Sequence, residues 1–320
     1  MSGAFTKFTN VVLDLRLTSQ RKPVRVPGAK NAVAQKAVLM RLSTHFKRRR
    51  RISLARLCAH AVLVSVSVCI MIPLAWVLRT SLVSRKVAYL IPPDWTAPLS
   101  LSSYLIIFYE YSFAKYLWNS LSIGTITTAL SIVIGVPAAY AIARYRTGGS
   151  FFRVAILGTQ ILPAVAIAIP VFTFVRILGL FDTPVLLMVV YMSFNLPYVI
   201  WILAGFFSGL PTEVEEAALM DGCTPATALL LVVVPMAQSG IVAAAVFSFV
   251  LAWNEFLFAL ILTGLHARTL PVAVAGLITQ AGTQIGPMAA ATVLMSLPVV
   301  VLTFVSQRYL VTGLTFGSVK

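Results

Sequence analysis

Residues Glu213–Pro235 read E-V-E-E-A-A-L-M-D-G-C-T-P-A-T-A-L-L-L-V-V-V-P. This stretch holds four of the chain's nine acidic residues and no Lys or Arg, and long apolar runs lie on both sides of it. Glu215 to Asp221 predicts a short helix: glutamates at its start suit the helix dipole, and Ala217, Ala218, Leu219 and Met220 are good helix formers. Gly222 is placed to stop it, as a glycine after a helix C-terminus does. Thr224-Pro225 predicts the start of a second helix, with Thr as cap and Pro at the first helical position. The stretch is a helix–Gly–helix unit on a loop between membrane spans. Ala217 and Ala218 leave a shallow face on which a partner sits closely. Composition alone is equally consistent with an ordinary acidic surface loop.

The flanking runs fix the fold class. Of 320 residues, 59% are hydrophobic and 11% charged, and the mean hydropathy is +0.93. Several runs of about twenty residues nearly free of charge mean an all-α polytopic membrane protein. Open strands cannot cross a bilayer, and the alternating pattern of a barrel is missing. The net charge is +16, but 14 of the 25 Lys and Arg fall in the first 56 residues. The basic pI therefore reports on the tail, and no nucleic-acid partner is implied. Cys58, Cys69 and Cys223 form no CxxC, and His45, His60 and His266 are far apart. Neither a disulfide framework nor a metal site follows.

Residues 1–55 predict a basic, disordered N-terminal tail, with Met40 as an alternative start. The cluster Lys47–Arg51 beside the first span suits orientation and contact with anionic membrane lipid. The spanning domain is expected over 56–306. Span 1 covers Leu57–Leu78, span 2 Leu117–Ala143, span 3 Val154–Val175 and span 4 Pro184–Phe207. Span 5 covers Ala237–Leu262 and span 6 Gln284–Ser306. A long loop, Arg79–Lys115, separates the first two. Thr263–Thr283 has room for a short re-entrant or surface helix, and 307–320 is expected as a tail. Arg144, Arg146, Arg153 and Arg308 favour an inside N-terminus. Six spans then place both termini, and the acidic loop 211–235, in the cytoplasm. No G-x-x-x-x-G-K-[ST], G-x-S-x-G or H-E-x-x-H occurs, so the chain has no phosphate loop or catalytic constellation of its own.

The order Glu216-Ala217-Ala218, three residues, Gly222, nine residues, Val232-x-Val234-Pro235 resembles the EAA motif of ABC importer permeases. Ala252-Trp253-Asn254-Glu255-Phe256-Leu257, the C-terminal Gln307–Thr315, and Asn119-Ser120 are similar to stretches of the maltose-type, carbohydrate-uptake branch. The resemblance covers residues 55 to 320. It implies the type I ABC importer permease fold with six spans and a cytoplasmic coupling helix, in a bacterial cytoplasmic (inner) membrane. It implies a non-catalytic subunit that pairs with a second permease, usually a different one. Two ATPase subunits would bind ATP and Mg, so no cofactor is expected here. An extracytoplasmic solute-binding protein would deliver a sugar or sugar-like solute. Glu215, Glu216, Ala217, Ala218, Asp221, Gly222 and Pro235 would couple to the ATPase, with Glu216 as polar anchor. Residues Gly313–Lys320 would also reach it.

Trp253, Asn254 and Glu255 are candidates for the solute pathway. Glu255 is the acidic residue inside an apolar span, and Trp and Asn suit sugar stacking and hydroxyl hydrogen bonding. The structural alternative is a hydrogen bond to another span. Gly205 and Gly209 match small-xxx-small packing, while Asn195, Gln160 and Gln280 read as inter-helix links. A secondary transporter or channel working without an ATPase is the alternative function. That class shows inverted repeats or several buried ionisable groups, whereas this chain has Glu255 and no clear repeat.

Overall fold

The computed structural model describes residues 54–90, 92, 94–279 and 282–316. The expected tail up to residue 53, Gln280 and residues 317–320 lie outside them. The chain forms two compact units that divide at Cys69–Ile70, inside helix α1 (Leu54–Ser81). The described part of the first unit is the start of α1, whose Val62, Leu63, Val64 and Val68 are exposed. A helix apolar all round suits a lipid or protein surround rather than water.

The second unit is built around α4 (Phe113–Tyr145) and α7 (Pro184–Ser208). Pro184 opens α7 at its first turn, where its missing N–H is not needed. The two helices pack along their length because α4 has Gly135: a Cβ there would lie 2.6 Å from Val199 Cγ1. Val136, Ala139 and Tyr140 bury against Val199, Leu203 and Phe207. Helix α11 (Gln238–Asn254) closes on the same pair. A Cβ on its Gly240 would lie 2.4 Å from the Phe206 ring. Asn195 Nδ2 donates to Ser248 O at 2.9 Å and to Ser248 Oγ at 3.0 Å, so this amide links α7 to α11. Gln160 Nε2 likewise donates to Phe194 O at 3.3 Å. Among the described residues, no other helix packs on Gly205 or Gly209, which matched the small-xxx-small pattern. A Cβ on Gly205 would meet nothing within 4 Å, and the close approaches fall at Gly135 and Gly240 instead.

Among the described residues, four helices are long and apolar enough to cross a membrane: residues 57–81, α4, α7 and 285–309. Residues 225–236 and α11 together are also long and apolar enough, but they meet at 82°, the geometry of a broken span or a re-entrant loop. Predicted span 3 is broken into α5 (Gly149–Gly158) and the 14-residue α6 (Ala164–Ile177). Pro163 disfavours helical geometry in the residue before it, which accounts for the interruption. Predicted span 5 is also broken: α11 ends at Asn254 and α12 runs over Leu257–Leu262. The interval 263–283 holds α13 (Leu270–Ala275) and a two-stranded hairpin, β1 (Ile278–Thr279) with β2 (Gly282–Thr283). The long loop after α1 is not open chain. It carries α2 (Arg85–Ala88) and α3 (Ser102–Tyr109), whose Ile107 is buried beside Phe113, Trp253 and Ala290. The last helix, α14 (Ile285–Phe316), runs ten residues past the expected end of span 6. The boundary placed at 306/307 therefore falls within a helix.

Candidate functional site

The acidic stretch folds as α8 (Glu213–Met220), starting two residues before the predicted Glu215. Its end is a paired turn: Cys223 N donates to Ala218 O at 3.0 Å and Gly222 N to Leu219 O at 3.1 Å. This 6→1 and 5→2 pattern needs a left-handed residue after the helix, and Gly222 has φ +90°. Thr224 Oγ1 then accepts from Thr227 N at 3.2 Å and caps α9 (Pro225–Ala228), with Pro225 in its first turn.

The exit from this unit is a π-helical turn, Leu229–Val233, followed by α10 (Val234–Met236). Pro235 has no N–H to give to the carbonyl four residues back, so the ladder cannot run through in α-geometry. Val234 N bonds Leu229 O instead, five residues back. Such a bulge is a recognised cause of bending. It lies just before the 82° bend into α11.

The residues expected to couple divide by face. Glu215 is buried, with 6% of its surface exposed. Tyr140 Oη donates to Glu215 Oε1. Arg144 Nε donates to Glu215 Oε2 at 2.7 Å, and Arg144 Nη2 to Leu210 O at 3.3 Å. Tyr140 and Arg144 are four apart, so they share one face of the last turns of α4. Glu216, Ala217, Asp221, Gly222 and Pro235 are exposed, Ala218 is half-buried, and Met220 is 89% exposed. Thus α8 points one glutamate into its own subunit and leaves Glu216 beside an apolar, small-residue surface.

The opposite end of the bundle is held by Asp182, which sequence reasoning missed, and by Asn119 and Ser120, which it singled out without this role. Asp182 takes a left-handed φ of 61° before α7. Its carboxylate accepts from Leu265 N at 3.1 Å, His266 N at 3.0 Å and Ala267 N at 2.9 Å. Burial of this carboxyl opposes its ionisation. The backbone N–H groups of Ala267, His266, Gly264 and Leu265 outweigh that and hold it below the usual carboxylate value. A Cβ on Gly264 would lie 2.8 Å from Asp182 Oδ2, so a side chain there would have to displace the carboxylate from its present position. Asn119 Nδ2 donates to His266 O at 2.7 Å and Arg268 O at 3.0 Å, and Ser120 Oγ accepts from Leu270 N at 2.7 Å. An acidic residue between Gly179 and Thr183-Pro184 was the available signal, but its partners lie more than eighty residues away.

The solute-pathway candidates separate. Trp253 is 1% exposed and its Nε1 donates to Met295 O at 3.2 Å, so it joins α11 to α14 by packing and by a hydrogen bond. Glu255 accepts from Phe258 N at 2.9 Å and Ala259 N at 3.2 Å, which makes it the cap of α12. Asn254 is exposed, with its Nδ2 on Val250 O. None of the three lines the cavity of about 180 Å³ that Glu110, Tyr111, Tyr116, Arg268 and Leu277 help to enclose.

Comparison with known proteins matches this architecture. The trehalose transport system permease protein SugB of Mycobacterium tuberculosis is 38% identical over 257 residues, covering 78% of this chain and 92% of that protein. The sulfoquinovosyl glycerol transport system permease protein SmoH of Agrobacterium fabrum is 36% identical over 258 residues, covering 78% and 88%. Among solved structures, a bacterial ABC transporter involved in the import of the acidic polysaccharide alginate superposes with a TM-score of 0.65 at 22% identity. It covers 81% of this chain and 98% of that one. Residues 131–315, from the middle of α4 to the end of α14, match the family described as binding-protein-dependent transport system inner membrane component. The exposed EAA helix, the α4–α7–α11 bundle and these matches agree: the chain is a multi-pass membrane protein that belongs to this family, the permease components of ABC transporters.

Proposed function

We propose that the chain is a permease subunit of an ATP-driven importer for a sugar or sugar-like solute. It pairs with a second permease, two ATPase subunits that bind ATP and Mg, and an extracytoplasmic solute-binding protein. It has no catalytic role of its own. It sits in a bacterial cytoplasmic membrane with both termini and α8 on the cytoplasmic side, as the basic residues Arg144, Arg146, Arg153 and Arg308 favour. The sugar reading rests on relatives named for trehalose and for sulfoquinovosyl glycerol.

The observation that carries the coupling role is the two-faced α8. Its buried Glu215 ties it to α4, while Glu216, Ala217 and Met220 stand exposed. Glu216 is placed to meet a basic group or a backbone donor of the ATPase, as a charge-assisted contact. Ala217 and Ala218 give the close-packing surface, Gly222 the turn, and Asp221 and Pro235 flank the unit. Nucleotide-driven closure of the ATPase pair moves α8, and the spans follow as rigid bodies to switch access across the bilayer. Asn254 and the adjoining Glu255 are the pathway candidates, while Trp253 positions them from the core.

The test is co-purification of the ATPase with Glu216→Lys and Gly222→Pro permeases. A proline cannot adopt the positive φ of residue 222. Both variants should insert in the membrane and lose the ATPase. Retention of the ATPase by both would overturn the assignment and favour a transporter working without it.

A further inference from the structure

We propose that Arg144 and Glu215, closed by Tyr140, form a latch that makes α8 and α4 one mechanical body during the transport stroke. This rests on the reading of α8 as the ATPase-coupling helix and adds how its motion enters the spans. These are positioning residues, since none touches solute or nucleotide.

The geometry is that of a fastening rather than a surface contact. The Arg144 and Glu215 side chains are 9% and 8% exposed, and they approach to 2.7 Å. Both carboxylate oxygens are occupied, one by Arg144 and one by Tyr140. The same guanidinium holds Leu210 O, in the segment that leads from α7 into α8. The Tyr140 ring packs edge-on against Phe207, 6.4 Å between centroids, at the end of α7. One cluster thus gathers the last turns of α4 and α7 and the first turn of α8. Separating a pair this buried leaves uncompensated charge, so it resists opening when α8 is displaced. The other end of α8 is closed differently. It leaves through Gly222, Thr224 and the π-turn, where polar side chains are exposed and the helical ladder is interrupted. A pull on α8 therefore reaches α4 and α7 through the latch, and the π-turn and bend accommodate the motion relative to α11.

Spin labels read this without knowledge of the solute. In a background with Cys58, Cys69 and Cys223 replaced by Ser, labels go on Val214→Cys in α8 and Val133→Cys in α4. Both sites are exposed, at 45% and 70%. The assembled complex is compared free of nucleotide and trapped with ATP and vanadate. With the latch intact, the α8–α4 distance stays the same in both states. With Glu215→Gln or Arg144→Gln it is unchanged at rest and shifts by about 2 Å or more on trapping, the scale of helix shifts in switching proteins. The swap Arg144→Glu/Glu215→Arg restores the constant distance.

An α8–α4 distance that behaves as in the wild type in both single variants would overturn the latch. So would a swap that inserts or couples no better than the single variants, because the pair would then serve folding alone. If Glu216→Lys still binds the ATPase, the coupling reading itself fails. If Glu216→Lys loses the ATPase while the glutamine variants keep a constant distance, only the latch fails.

Discussion

Replacing Asp182 with alanine should free the segment 263–270 at the end of the bundle opposite α8. The wild-type carboxylate accepts from the N–H groups of Leu265, His266 and Ala267, at distances from 2.9 to 3.2 Å. Hydrogen bonds to a charged acceptor contribute about 1.5–3 kcal/mol each. Three would sum to more than the segment loses, because water reaches the freed N–H groups of this part-exposed site. Asn119 and Ser120 also still hold residues 266, 268 and 270. The net loss in local opening should be about 2–3 kcal/mol, which is roughly 30- to 150-fold in amide exchange. Asp182→Asn keeps one acceptor oxygen and tolerates the left-handed φ of 61°. It should lose about 1 kcal/mol, roughly 5-fold in exchange.

The assay is hydrogen–deuterium exchange of the peptide covering 263–270 in the detergent-solubilised protein, with α7 peptides as internal reference. Acid should act on the same contacts. The folded carboxyl lies below the ordinary aspartate value, so its stabilisation is complete above that value. It is lost as pH falls through the lower folded value. Exchange in Asp182→Ala within about 3-fold of wild type would refute the account, since it would mean that Asn119 and Ser120 alone hold the segment.

Two further predictions concern the helix contacts. Gly135→Leu should sharply reduce the folded fraction by size-exclusion chromatography, because the Cβ alone would stand 2.6 Å from Val199 Cγ1 and the branched remainder has no room. Gly205→Leu, with nothing within 4 Å of its Cβ, is the tolerated control. Asn195→Leu removes two buried hydrogen bonds to Ser248 and strands the Ser248 hydroxyl. It should cost about 1–2 kcal/mol and lower the midpoint of thermal unfolding in detergent, with most of the loss recovered by Ser248→Ala.

The sequence was legible wherever the determining interaction is local. Apolar runs of span length announce helices because backbone groups in lipid must pair within their own segment, and α4, α7 and α14 lie where the runs predict. The caps at Gly222 and Thr224 could be read because each acts within five residues. Span 3 misled because its hydropathy is continuous while its backbone is not: hydropathy reports side chains, and Pro163 acts on φ and ψ. The same blindness hid the break at Asn254–Phe256, where Glu255 turns out to be a cap for α12.

By itself, then, the sequence determined the membrane-spanning class, the helix–Gly–helix unit and its resemblance to the EAA loop. Each of these depends on composition or on spacing within a few turns. Only the tertiary structure decided which of the adjacent glutamates is exposed and which is bound inside. Glu215 and Glu216 are equivalent in composition and propensity. They differ only because α4 brings Arg144 and Tyr140, 71 and 75 residues away, to one side of α8. Asp182 and the segment 264–267 meet for the same reason. Packing of whole helices sets which distant groups come together, and no local pattern encodes it.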